Sequence, residues 1–81
     1  MEKRIGTVTI FLSDNSVASR VNEVLSAHAN IIVARQGLPF KDRHFAVISL
    51  IVEGEVDEIN ALSGTLGKIN NVSTKAYITK F

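Results

Sequence analysis

The stretch from Phe45 to Val52 constrains this chain more than any other. Its eight residues carry no charge. Read as a strand from His44 to Val52, it is apolar on both faces, with Phe45, Val47 and Ile51 on one and Ala46, Ile48, Leu50 and Val52 on the other. A strand of that kind is normally central and covered on both sides. The same run is far short of the ~20 residues that a membrane-spanning helix needs. The whole chain has 81 residues, 46% of them apolar, and no cysteine. That length allows one domain over residues 1–81 and buries only roughly 60–65% of the extended-chain surface. No disulfide or cysteine-held zinc compensates. The core must therefore be dense, or a subunit partner must cover the excess apolar surface.

The remaining elements follow from periodicity. Arg4 to Leu12 alternates, with Gly6, Val8, Ile10 and Leu12 on one face and Ile5, Thr7, Thr9 and Phe11 on the other, and its β-branched residues favour a strand. Ser13-Asp14-Asn15-Ser16 supplies side-chain oxygens suited to an N-cap. Val17, Val21, Val24, Leu25 and His28 then fall at helical spacing, with Ala29-Asn30 as the stop. A second strand begins at Ile31-Ile32-Val33-Ala34 and runs through Arg35 towards Gly37; Pro39 should end its ladder or place it at an edge. Lys41-Asp42-Arg43 is a polar turn into the third strand. Glu53-Gly54-Glu55 breaks that strand, and Asp57 and Glu58 open a second helix whose stripe is Ile59, Leu62, Leu66 and Ile69. Gly64 is expected to permit a close approach and Gly67 to stop the helix. Val72, Thr74, Ala76 and Ile78 alternate with Ser73, Lys75, Tyr77 and Thr79 in a fourth strand.

The order is β-α-β-β-α-β. Two amphipathic helices bury their stripes by packing on one face of a four-stranded antiparallel sheet. Right-handed crossovers make this the ferredoxin-like α+β sandwich, with the first and third strands central.

Three stretches carry a resemblance: Ala34 to Phe40 (Ala-Arg-Gln-Gly-Leu-Pro-Phe), Ala46 to Gly54, and Ala61 to Gly67 (Ala-Leu-Ser-Gly-Thr-Leu-Gly). Together they resemble the iron-only hydrogenase system regulators, a small family grouped with ACT-like domains and with the C-terminal domain of nickel-responsive regulators. The resemblance runs from Arg4 to Lys80. It implies a single ACT-like domain and a regulatory role in iron-only hydrogenase or related metabolism. ACT-like domains commonly bind small molecules, often amino acids, at subunit interfaces. The ribbon-helix-helix segment that nickel-responsive regulators use on DNA is absent from this sequence, so control of transcription is expected to need a partner or a different mode of binding.

Candidate site residues follow from chemistry and position. Asp14 and Asn15 lie where ACT-like domains often bind ligand, and a helix N-terminus there offers free N–H groups to a carboxylate; ordinary capping accounts for the same residues. The family-typical glycine of amino-acid-binding ACT domains is missing at this loop. Arg35 offers a planar fork to a carboxylate or phosphate, Gly37 and Pro39 set an unusual backbone beside it, and Phe40 adds a flat apolar surface. In the alternative, Arg35 pairs with an acidic neighbour and Phe40 packs under the turn. Gly64-Thr65-Leu66-Gly67 sits late in a helix, which suits packing better than a phosphate cradle. His28 and His44 are the weak metal candidates, far apart in sequence, and no cofactor is expected. No Ser-His-acid set, paired carboxylates or metal-hydrolase spacing appears, so no enzyme is expected.

Nine basic and eight acidic residues give a net charge of +1, with the basic ones scattered. Direct nucleic-acid binding, which needs clustered cations, is not expected. Neither a signal peptide nor a membrane span is expected, and the lack of cysteine suits the cytoplasm. Two helices cover only one sheet face, so a homo-oligomer, dimer or tetramer, is expected, with Ile5, Thr7, Thr9 and Phe11 at its interface. The function these features fit is a non-catalytic, oligomeric, small-molecule-responsive regulatory domain. The alternatives are a structural or protein-interaction adaptor without a ligand, and a metal-binding sensor.

Overall fold

Alternation places Val8, Ile10 and Leu12 on one side of β1 (Arg4–Leu12), and all three are buried. A computed structural model describes residues 2–81, Lys41 by its backbone only. Met1, part of the single domain expected over 1–81, lies outside the described residues. After β1, a 3-10 turn (Asn15–Val17) leads into α1 (Ala18–Ala27), and a second one (Ala29–Ile31) into β2 (Ile32–Phe40). A third (Lys41–Arg43) joins β2 to β3 (Phe45–Gly54); α2 (Val56–Gly67) and β4 (Val72–Ile78) follow. The sheet order is β2-β3-β1-β4, antiparallel throughout, so the first and third strands are the central ones, as expected. This is the ferredoxin-like arrangement expected from the order of periods.

The core is the layer between sheet and helices. Val8, Ile10 and Leu12 meet Ile48, Leu50 and Val52 of β3, Val21 and Leu25 of α1, and Ile59, Leu62 and Leu66 of α2. Each such side chain contributes roughly 1.5–3 kcal/mol when fully buried. The α2 N-terminus is fixed by Glu58, whose Oε1 accepts the Glu55 backbone N–H at 2.8 Å. Gly54 leaves the room for this. A Cβ there would lie 2.9 Å from Ile31 Cγ2 and 3.0 Å from Glu58 Oε1. Across the sheet, Gly6 lets β4 approach, since a Cβ would stand 2.6 Å from the Tyr77 carbonyl oxygen.

Several expectations need correction. β2 starts one residue late, because Ile31 is drawn into the 3-10 turn and buried. Its ladder runs on past Gly37, with Pro39 paired to Ala46 and Phe40 to Phe45, and of the two outcomes expected at Pro39 the edge position is the one found. This is tolerated because β2 is an edge strand, where a missing N–H costs no ladder bond. The register slips between Ile32 and Ala34, leaving Val33 as an extra residue and reversing the parity beyond it. Gly64 permits no close approach, since nothing lies within 4 Å of where its Cβ would be. Gly67 is the last residue of α2, as expected of a stop, but it ends the helix without a left-handed conformation, which only Asn71 (φ 67) and His44 (φ 50) adopt among the described residues.

Candidate functional site

The helices leave one face of the sheet uncovered, and the strand register lays that face out in rows. Across β2, β3, β1 and β4 in turn, one row holds Ala34, Ile51, Thr7 and Tyr77. The next holds Gln36, Ser49, Thr9 and Lys75, and the one after it Leu38, Val47, Phe11 and Ser73. Phe40 and Phe45 close the face at one end, and Glu53 and Ile5 at the other. A polar row thus crosses a largely apolar surface. Ile5, Phe11, Leu38, Phe40, Ile51 and Tyr77 are each between 36% and 68% exposed. Phe45 contacts both Phe11 and Phe40, each with ring centroids 6.1 Å apart, within the range of favourable tilted aromatic pairs.

All four residues expected at an oligomer interface, Ile5, Thr7, Thr9 and Phe11, point to this uncovered face. The β3 set with Ile51 is the outward one, a choice the sequence left open, and sequence reasoning missed Tyr77 and Leu38 as neighbours. Tyr77 was findable from the alternation of β4. Leu38 was not, because the slip at Val33 hides the parity of β2.

The expected ligand residues do not form one cluster. Arg35 is opposite Leu50, Gly37 opposite Ile48 and Pro39 opposite Ala46, so these three share the helix-side face of β2. All three are exposed. The Arg35 Nη2 donates to Asn22 Oδ1 of α1 at 3.0 Å; the partner is an amide and not the acidic neighbour considered from sequence. Arg35 lines two shallow depressions, one with Leu25, Ser26, Ala29 and Ile32 against α1, the other with Ala34, Gln36, Ser49 and Ile51 on the uncovered face. Phe40 faces the other way, against Phe45.

Asp14 and Asn15 sit beyond the end of β1, two strands across from Pro39 and farther from Arg35. Asp14 Oδ1 accepts the Ser16 backbone N–H at 3.0 Å, as an N-cap. That bond holds the carboxyl below its ordinary value, with smaller contributions from the Ser16 side chain and the His44 charge.

His28 closes α1, its Nδ1 2.9 Å from the Val24 carbonyl oxygen, whereas His44 precedes β3 at the opposite end of the sheet. The two imidazoles therefore share no site. Among the described residues no three His, Cys, Asp or Glu side chains gather as metal ligands, and no helix is long and apolar enough to cross a membrane.

The fold recurs in solved structures. The uncharacterized protein TM1266 of Thermotoga maritima superposes with a TM-score of 0.91 at 39% identity, covering 98% of this chain and 100% of that one. The C-terminal domain of the MgtC protein of Mycobacterium tuberculosis gives 0.73 at 9% identity, covering 95% of this chain and 88% of its own. The nitrogen regulatory PII-like protein CPII of Thiomonas intermedia K12, in its apo form, gives 0.58 at 9% identity over 96% and 92%. The last two show likeness of fold alone. None of the curated proteins matches the sequence. The family model for TM1266-like proteins, described as "Iron-only hydrogenase system regulator, putative", matches residues 4–76. With that match and the identity to the Thermotoga protein, the chain belongs to the TM1266-like family of iron-only hydrogenase system regulators.

Proposed function

We propose that this chain is a non-catalytic, self-associating regulatory domain that responds to a small molecule bearing a carboxylate or phosphate, taken up beside Arg35. The observation that carries the ligand is the state of Arg35. Its guanidinium is fixed by one hydrogen bond to Asn22 and stands exposed beside the depression against α1, away from the face that self-association would cover. A guanidinium has five N–H donors in a rigid fork, so a bidentate anion can be held without breaking the Asn22 bond. Gly37 and Pro39 continue the same exposed strip of β2. Asp14 and Asn15 are the reserve site, at the turn that enters α1. Self-association rests on the uncovered apolar face.

The test is a thermal-shift screen of wild-type and Arg35→Ala protein with amino acids and nucleotides. The PII-like protein of Thiomonas intermedia K12 has been solved with ADP, AMP and bicarbonate, and those ligands of that protein set part of the panel. A ligand that binds only the folded state stabilises it by about 2.7 kcal/mol at 100 times its Kd. The expected result is a carboxylate or phosphate compound that raises the wild-type midpoint and leaves Arg35→Ala unmoved. A panel without any shift favours the adaptor reading, in which the shallow depressions hold nothing and the face alone acts.

A further inference from the structure

We infer that the uncovered sheet face docks a second copy of this chain, face to face, about a two-fold axis that runs parallel to the strands between β1 and β3. This rests on the self-association proposed above and specifies its geometry. Nine-residue strands at ~3.4 Å per residue and four strands at ~4.8 Å spacing give a footprint of about 30 by 19 Å. With side-chain relief counted, that approaches the ~800 Å² per partner of a standard stable interface. The strand positions on this face carry one carboxylate, Glu53, and one ammonium, Lys75, so two copies do not repel through net charge.

The arrangement of residues selects the axis. An axis along the strands lays β2 over β4 of the partner at equal levels. Ala34 then meets Tyr77 and Leu38 meets Ser73, a small side chain opposite a large one in each case. In the polar row Gln36 meets Lys75, and Ser49 meets Thr9. Each polar group of that row thus finds a hydrogen-bonding partner inside the contact, which buried polar groups need. An axis across the strands instead stacks Lys75 on Lys75 and Glu53 near Phe45, placing like charges together and a carboxylate on an aromatic ring. Edge-to-edge joining through β2 is opposed by that strand itself. Pro39 supplies no N–H and the extra residue Val33 bends the edge, two features that blunt strand pairing.

The test is sedimentation equilibrium of the full chain and four variants, each checked for native far-UV circular dichroism. Wild-type protein should sediment as a dimer of the 8.8 kDa chain at micromolar concentration. Gln36→Glu places a carboxylate opposite each Lys75 and should tighten the dimer roughly 2- to 30-fold, as two partly exposed ion pairs would. Gln36→Lys should weaken it, and adding Lys75→Glu should restore it. Phe11→Glu should give monomer. A wild-type monomer, or an assembly of odd order, overturns the proposal. Weakening by both Gln36→Glu and Gln36→Lys would point to the crosswise axis and also overturn it. A folded Phe11→Glu dimer would overturn the use of this face. Thermal shifts report on ligand uptake separately, so a failure here leaves the Arg35 reading to its own test.

Discussion

Gly64 and Gly6 reverse what their sequence contexts suggest. Gly64 interrupts a helix, where glycine is less favourable than alanine by roughly 0.8–1 kcal/mol, and no neighbour lies within 4 Å of a Cβ at that position. Gly64→Ala should therefore stabilise the fold by about 0.4–1 kcal/mol, read as a higher urea midpoint at unchanged slope. Gly6 is unremarkable within its alternating strand, yet a Cβ there would press on the Tyr77 carbonyl oxygen at 2.6 Å. Gly6→Ala should cost about 1–3 kcal/mol, as overpacking does. Neither outcome is readable from the sequence, because the deciding atoms belong to a strand some seventy positions away or are missing altogether. Asp14 was legible as a cap. Its carboxyl is held low chiefly by the Ser16 backbone N–H, so its folded pKa lies below its unfolded one. The stability it adds is complete above the unfolded value and is lost as pH falls through the folded value. An NMR titration should find the Asp14 carboxyl below the ordinary aspartate range, and Ser16→Pro, which removes the donor, should raise it.

At the scale of elements, periodicity identified all four strands and both helices but not their joints. The α2 start shows why. Asp57 and Glu58 read from sequence as first-turn charges favouring the helix dipole, while the structure gives Glu58 a direct bond to the Glu55 N–H at 2.8 Å. Removal of that acceptor leaves a half-buried donor unpaired. Glu58→Ala should destabilise by about 0.5–2 kcal/mol, in the range of lost helix caps, and Glu58→Gln, which keeps an acceptor oxygen, by much less. The joint at β2 was hidden for another reason. Ile31 to Ala34 is a continuous apolar run, so nothing in it marks which residue slips out of register. Beyond the slip, Arg35 turns towards α1, and its partner Asn22 comes from another element with no local signal to announce it. The candidate ligand strip was thus legible as residue types, whereas its division from Asp14 and Asn15 required the fold.

At the scale of the whole molecule, coverage is unequal. Sheet strands of nine residues reach ~30 Å, whereas helices of ten and twelve residues reach only about 15–18 Å. The core lies wholly between the two layers, and the opposite sheet face keeps its large apolar side chains in solvent in an isolated chain. Covering those side chains stabilises only the folded state, since an unfolded chain presents no such face. In the face-to-face dimer proposed above, association and folding are linked through mass action, and the unfolding midpoint is then expected to depend on protein concentration. Calorimetry of the wild-type chain between micromolar and millimolar concentrations should show Tm rising with concentration. Phe11→Glu should lower Tm at high concentration and remove the dependence, while leaving the monomer's cooperative unfolding intact, because Phe11 lies outside the buried core. A wild-type Tm that stays constant over that range would show that folding of this chain is independent of any second copy, and that its exposed apolar face is tolerated in solution.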